Sequence, residues 1–140
     1  MTYDPGNIFA KILRGEIPAF KVHEDDSVLA FLDIFPRAPG HTLVIPKAPA
    51  RNLLDVEPAD LSKVMAVAQR IARAQLTAFD AEGITLTQHN EPAGGQEVFH
   101  LHVHVIPRVA GVELKAPLSY KEEMDVLAAQ AERLKAALAA

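Results

Sequence analysis

Three of the six histidines fall within five residues, as His100, His102 and His104, with Leu101, Val103 and Val105 between and after them. In an extended segment successive side chains point to opposite faces. The spacing therefore predicts three imidazoles on one face of a strand and aliphatic side chains on the other. A neutral imidazole is a nucleophile near pH 7 without the deprotonation that a serine hydroxyl requires, and its natural electrophiles are phosphorus or an acyl carbon. Upstream, Asn90 and the run Gly94-Gly95-Gln96 suit an anion. Glycine lets backbone N–H groups approach phosphate oxygens closely, and amide side chains donate further hydrogen bonds. Asn90, Gln96, His100, His102 and His104 together read as a phosphoryl site. A metal is the alternative, because imidazole is the commonest metal ligand. Along a strand, residues i and i+4 lie about 13 Å apart, against Zn–N bonds of about 2.0–2.1 Å. An ion would thus need two of the three rings plus an outside ligand such as His41 or His89. On the residues alone that alternative stays open.

Such a site needs elements to hold it. Asn7 is a suitable N-cap for a short helix with the apolar stripe Ile8, Phe9, Ile12 and Leu13, ended by Gly15 and blocked by Pro18. Phe20 and Val22 alternate as a short strand, Asp25-Asp26-Ser27 reads as a turn, and strands follow over 28–34 and 41–45. A long helix is predicted over 58–79, opened by Pro58 and faced by Leu61, Val64, Met65, Ala68, Ile71 and Ala72. Another strand is expected over 84–88, a loop over 90–96 and a strand over 98–106. Residues 107–118 carry Pro107, Gly111 and Pro117 and should be irregular. Ser119-Tyr120-Lys121-Glu122 has the capping-box pattern, which predicts a last helix over 119–139 with Leu127, Ala131, Leu134 and Leu138 on one face. Strands with short connections between helices imply antiparallel pairing, hence an α+β fold.

The 140 residues suit one domain spanning 1–140, and 49% apolar residues suffice for a core. The absence of cysteine excludes a disulfide scaffold, a thiol nucleophile and Cys-ligated zinc. The charge sum, 14 − 18 = −4, comes without a basic run and argues against binding bulk nucleic acid. No apolar stretch approaches the ~18 residues of a membrane span. Met1-Thr2-Tyr3-Asp4-Pro5 lacks the basic and apolar regions of a signal peptide, so a soluble cytoplasmic protein is expected.

With these residues in view, the chain resembles the histidine triad (HIT) family of nucleotide-binding hydrolases. The motif His-φ-His-φ-His-φ-φ, with φ apolar, stands here as His100-Leu101-His102-Val103-His104-Val105-Ile106, followed by Pro107-Arg108. Asn7-Ile8-Phe9-Ala10-Lys11-Ile12, Ala30-Phe31-Leu32-Asp33-Ile34 and Pro39-Gly40-His41-Thr42-Leu43-Val44-Ile45-Pro46-Lys47 are also similar to the family, in the same order. The resemblance covers residues 7–109 and leaves the last helix as an extension.

The resemblance implies an antiparallel sheet of about five strands, a short N-terminal helix and one long helix. It implies the bacterial-type branch that hydrolyses nucleoside phosphoramidates or related nucleotides. His102 would attack the α-phosphorus, form a nucleotidyl-histidine, and release a purine nucleoside monophosphate (AMP- or GMP-like) to water. The main-chain carbonyl at His100 would fix the tautomer of His102. His104, Asn90, Gly95, Gln96, Glu97 and Val98 would surround the phosphate and leaving group. Asp33 would bind the ribose hydroxyls, with Ile34, Ile8, Phe9, Ile12, Phe31, Leu43 and His41 lining the base pocket. On periodicity alone the same apolar residues read as ordinary core, and Asp33 as a turn acid. The implied chemistry needs no metal or other cofactor, and the implied assembly is a homodimer. Two alternatives stand beside it: a dinucleoside polyphosphate hydrolase, and a nucleotide-binding module whose role is partner contact.

Residue 97 is Glu where many family members carry Ser or Thr. A carboxylate beside a phosphate is repelled by about 4 kcal/mol at 4 Å and an effective dielectric of 20. Glu97 must therefore point away, be neutralised or serve a different leaving group, and by charge complementarity the expectation is a cationic or amine leaving group. Without cysteine, the zinc site of some bacterial relatives is expected to be absent, and His104 in third place favours the hydrolase branch over the transferases. The last helix is expected to pack on its own chain or across a dimer, and to shape the leaving-group side.

Overall fold

The computed structural model describes residues 2–140. Its elements are α1 (Ile8–Leu13), β1 (Lys21–Glu24), β2 (Val28–Leu32), β3 (Thr42–Pro46), α2 (Pro58–Ala78), β4 (Gly83–Thr87), β5 (Val103–Arg108) and α3 (Met124–Ala139), with a 3-10 turn at Pro92–Gly94. The five strands form one antiparallel sheet in the order β1-β2-β3-β5-β4. This is the α+β architecture expected.

Alternation along β2 assigns the two faces. Val28, Ala30 and Leu32 join Val44, Val103 and Val105 against Val64, Val67, Ala68 and Ile71 of α2 and Leu127, Ala131 and Leu134 of α3. Leu29 and Phe31 join Leu43 and Ile45 against Phe9 and Ile12 of α1. Two helices thus cover one face and a six-residue helix only part of the other. Because Val103 and Val105 point to α2, His102 and His104 point to the partly covered face. The last helix packs on its own chain.

Two elements depart from expectation. The strand predicted over 98–106 begins only at Val103. The residues before it pair elsewhere: Leu101 N–H donates to the Ala50 carbonyl, and the Val98 carbonyl accepts from the Gln96 amide. The capping box also fails. Ser119 donates to the Ala116 carbonyl, and the Glu122 carboxylate accepts from the Tyr120 hydroxyl and the Glu123 N–H. The helix starts at Met124 instead, after an N-cap Glu123 whose side chain makes no capping bond.

The approach to β3 depends on Gly40. Its φ is +85°, and a Cβ there would lie 2.5 Å from the Phe79 ring. Its carbonyl accepts from the buried amide of Gln75 on α2, which also donates to the Val105 carbonyl. Gly40→Ala combines a left-handed backbone with overpacking. It is expected to destabilise the protein by about 3 kcal/mol, read as a lower urea midpoint at unchanged m.

Candidate functional site

The histidine rings have resolved roles, because carbonyl oxygens and N–H groups fix what each nitrogen does. His102 is buried, and its Nδ1 donates to the His100 carbonyl oxygen at 2.7 Å. The proton is therefore on Nδ1, and Nε2 keeps its lone pair. The Phe9 ring meets His102 edge to face at 4.9 Å, and His104 lies 5.0 Å beyond it. Arg37 N–H donates to His41 Nδ1 at 3.1 Å, which leaves the proton of His41 on Nε2. That proton points at His104 Nδ1, 2.9 Å away. His104 thus carries its own proton on Nε2.

His100, the first of the three, is closed off from any ligand. It is fully buried, its Nε2 donates to the Pro46 carbonyl at 2.8 Å, and its Nδ1 accepts from the Tyr3 hydroxyl at 2.6 Å. Asn7 in turn donates to that hydroxyl at 3.1 Å, which ties the start of α1 to the triad. The His100 ring fixes the backbone whose carbonyl orients His102.

Burial sets the charges. It is the main cause that pulls His102 and His41 down to about 4 and His104 to about 3. His100 is lowered for the same reason. At neutral pH these rings are uncharged, as a nucleophile requires. Asp33 is pushed up to about 6 by burial, against the Phe35 N–H that bonds its Oδ1 at 2.8 Å. Its Oδ2 lies 3.6 Å from His41 Nε2. Asp33, His41 and His104 each bring one ligand atom within 4.8 Å of the others, a group able to hold a metal ion.

The expected anion loop is built differently from its reading. The N–H groups of Gly94, Gly95 and Gln96 close the turn onto the Glu91 and Pro92 carbonyls. The Gln96 side chain is spent as well: it accepts from Asn52 and from Glu91 N–H, and donates to the Arg51 and Val98 carbonyls. Asn90 bonds Leu53 N–H and Gln88. The next two amides, those of Glu97 and Val98, have no hydrogen-bond partner among the described residues. Glu97 itself is exposed.

Three residues that the sequence reading passed over hold this loop. Arg51 makes a two-pronged ion pair with Glu91 at 2.7 and 2.9 Å, and Asn52 donates to the same carboxylate. Glu91 sits at φ +65°, a strained conformation for a residue with a Cβ. His89, considered in the sequence only as a metal ligand, packs its ring 5.9 Å from His104. Thr87 pairs with His104 at the end of β4, and the chain just beyond it brings His89 to the same side.

Of the apolar residues expected to line a base pocket, Phe9, Ile12, Phe31 and Leu43 are buried, while Ile8 and Ile34 are 44% and 38% exposed. The exposed pair is free to contact a ligand. The tail crosses the same region: Glu122 N–H donates to the Ile34 carbonyl, and Arg37 and Lys115 exchange backbone and side-chain bonds. A concavity of about 570 Å³ beside Glu82, Ile84, Arg108 and Val112 lies at the far end of β4 from the histidines.

Comparison with known proteins agrees with this geometry. The HIT domain model matches residues 14–111. A Hit-like protein involved in cell-cycle regulation from Bartonella henselae is 50% identical, with a TM-score of 0.91 over 97% of this chain and 99% of that one. A zinc-bound histidine triad family protein from Mycobacterium smegmatis is 38% identical, with a TM-score of 0.85 over 96% and 94%. An adenylylsulfatase, HINT3, from Arabidopsis thaliana is 38% identical over 72% of this chain and 51% of its own length.

Proposed function

This chain belongs to the HIT family, and on that premise we propose that it is a nucleotidyl hydrolase that cleaves a purine nucleoside 5'-phosphoramidate or a related nucleotidyl bond. The observation that carries the reading is His102: a neutral ring, its proton held on Nδ1 by a carbonyl at 2.7 Å, with a free lone pair on Nε2. Nε2 attacks the α-phosphorus, and the bond to the leaving atom breaks with its electron pair. The leaving atom takes the Nε2 proton of His104 and departs. Water then attacks the nucleotidyl-histidine and returns a proton to His104 as its oxygen bonds phosphorus, the Nε2–P bond breaks with its electron pair going back to His102, and the monophosphate departs. Phosphate oxygens take the free N–H groups of Glu97 and Val98 in place of the Gly95 and Gln96 amides. Gln96 and Asn90 act as positioning residues for that loop, and His100 for the nucleophile.

Asp33 accepts the ribose hydroxyls, a role its carboxylate form serves best. Ile8 and Ile34 sandwich the base over Phe9, Ile12, Phe31 and Leu43, with His41 behind Asp33. Glu97 on the exposed rim complements an amine or cationic leaving group. A homodimer acting in the cytoplasm completes the reading. Room for a second nucleoside would make dinucleoside polyphosphates substrates instead.

The Asp33, His41 and His104 group supports a second reading, a bound metal ion. One experiment separates the two: AMP release from adenosine 5'-phosphoramidate, with and without chelator. Turnover within about twofold in both conditions is expected for a nucleophile that needs no ion. Activity lost on chelation, and restored by zinc, would assign the cluster a metal. AMP binding without turnover would favour a nucleotide-binding module.

A further inference from the structure

His89 adds a further imidazole to the cluster. It is half-buried, its ring meets that of His104 edge to face at 5.9 Å, and it backs onto Gly95, where a Cβ would come within 3.3 Å of its Nδ1. That Nδ1 lies 3.1 Å from the Gly94 carbonyl oxygen. A carbonyl only accepts, so the neutral ring keeps its proton on Nδ1 and a lone pair on Nε2. Among the described residues this Nε2 has no hydrogen-bond partner. His104 is the reverse case: its Nδ1 accepts from His41, and its free Nε2 carries the proton. Two adjacent rings thus offer one donor and one acceptor. His41 links His104 to Asp33 and the nucleoside residues, whereas His89 sits on the turn at Pro92–Gly94 and is tied to none of them.

We propose that His89 reads the bridging atom of the scissile bond, accepting an N–H from the leaving side and so selecting phosphoramidates over oxygen-linked nucleotides. The inference rests on the hydrolase reading above and assigns its leaving-group selectivity to His89. The bridging nitrogen of a phosphoramidate carries an N–H that can donate to His89 Nε2. The same nitrogen takes the proton of His104 as the P–N bond breaks, and leaves as an amine. A bridging ester or anhydride oxygen has only lone pairs. It would face the His89 lone pair acceptor to acceptor, and a site built to bond a donor rejects an analogue that lacks it.

The test measures kcat/KM at pH 8 for adenosine 5'-phosphoramidate and for the nitrophenyl ester of AMP. His89→Leu is expected to lower the amine-over-ester ratio about tenfold, the effect of one lost hydrogen bond. His89→Ala, which removes the acceptor with less bulk, must lower it too. His89→Gln keeps a carbonyl acceptor and should hold the ratio within about threefold of wild type. A ratio unchanged in His89→Leu and His89→Ala overturns the proposal, including the case where both substrates weaken together, as loss of a phosphate clamp would produce. Wild type that binds AMP and cleaves neither substrate would overturn the hydrolase reading and this inference with it.

Discussion

Replacing His102 with alanine lowers nucleotide turnover by roughly 10⁴-fold or more, and AMP still binds. The size follows from the role. Removing a nucleophile removes the covalent path altogether, and the remaining groups only hold the phosphate and the leaving atom. Binding is expected to survive because the proposed contacts to base, ribose and phosphate come from the exposed Ile8 and Ile34, from Asp33 and from the free amides of Glu97 and Val98. The His102 ring packs on Phe9 and His104, so the variant loses some packing there. Steady-state release of AMP and calorimetry with AMP provide the two readouts. Turnover within about tenfold of wild type would mean that another group attacks phosphorus.

Acidification from pH 7 to 4.5 destabilises the fold by on the order of 5 kcal/mol. His41, His102 and His104 bind protons only near 4, 4 and 3 in the folded protein, because burial disfavours their charged forms. In the unfolded chain they bind near the ordinary value of 6.5. Between those limits the unfolded state holds more protons, so stability falls as pH falls. Asp33 works in the opposite direction. Its carboxyl titrates at about 6 when folded against 3.8 as a free group. It therefore costs stability above pH 6, and that cost fades on acidification. Three histidines outweigh one carboxyl, so the net effect keeps the sign of the histidines. Urea unfolding at the two pH values measures the difference. Equal stability at pH 7 and 4.5 would mean that the three rings are protonated within the fold.

Much of this was legible in the residues because two periodicities carry it. Apolar runs bounded by turns in 28–34 and 41–45 marked the strands, alternation marked the histidine face, and the 3.6-residue pattern in 58–79 marked α2. Alternation along 100–105 placed His102 and His104 on one face, but the strand begins only at Val103 and not at 98. The chain before Val103 leaves the sheet to bond Ala50, and that departure rests on contacts between segments about fifty residues apart. Asn90 illustrates how sharply phase matters. One residue of register decides which of His89 and Asn90 joins the histidine face, and the pairing of Thr87 with His104 settles it for His89. Arg51, Asn52 and Glu91 had no signal at all, since an ion pair between positions 51 and 91 follows no local period.

The capping box failed for a related reason. Ser119 and Glu122 both find nearer partners within the irregular tail, so a pattern true of helix starts was satisfied without a helix.

The most direct test of the central claim is to look for the covalent intermediate. Wild-type protein is mixed with adenosine 5'-phosphoramidate, quenched in base within a single turnover, and its intact mass and peptides are measured. The expected result is one adenylyl group per chain, carried by the peptide that contains His102 and located on its imidazole. An adenylyl group on another residue, or AMP released with no adduct at any quench time, would contradict attack by His102 on phosphorus.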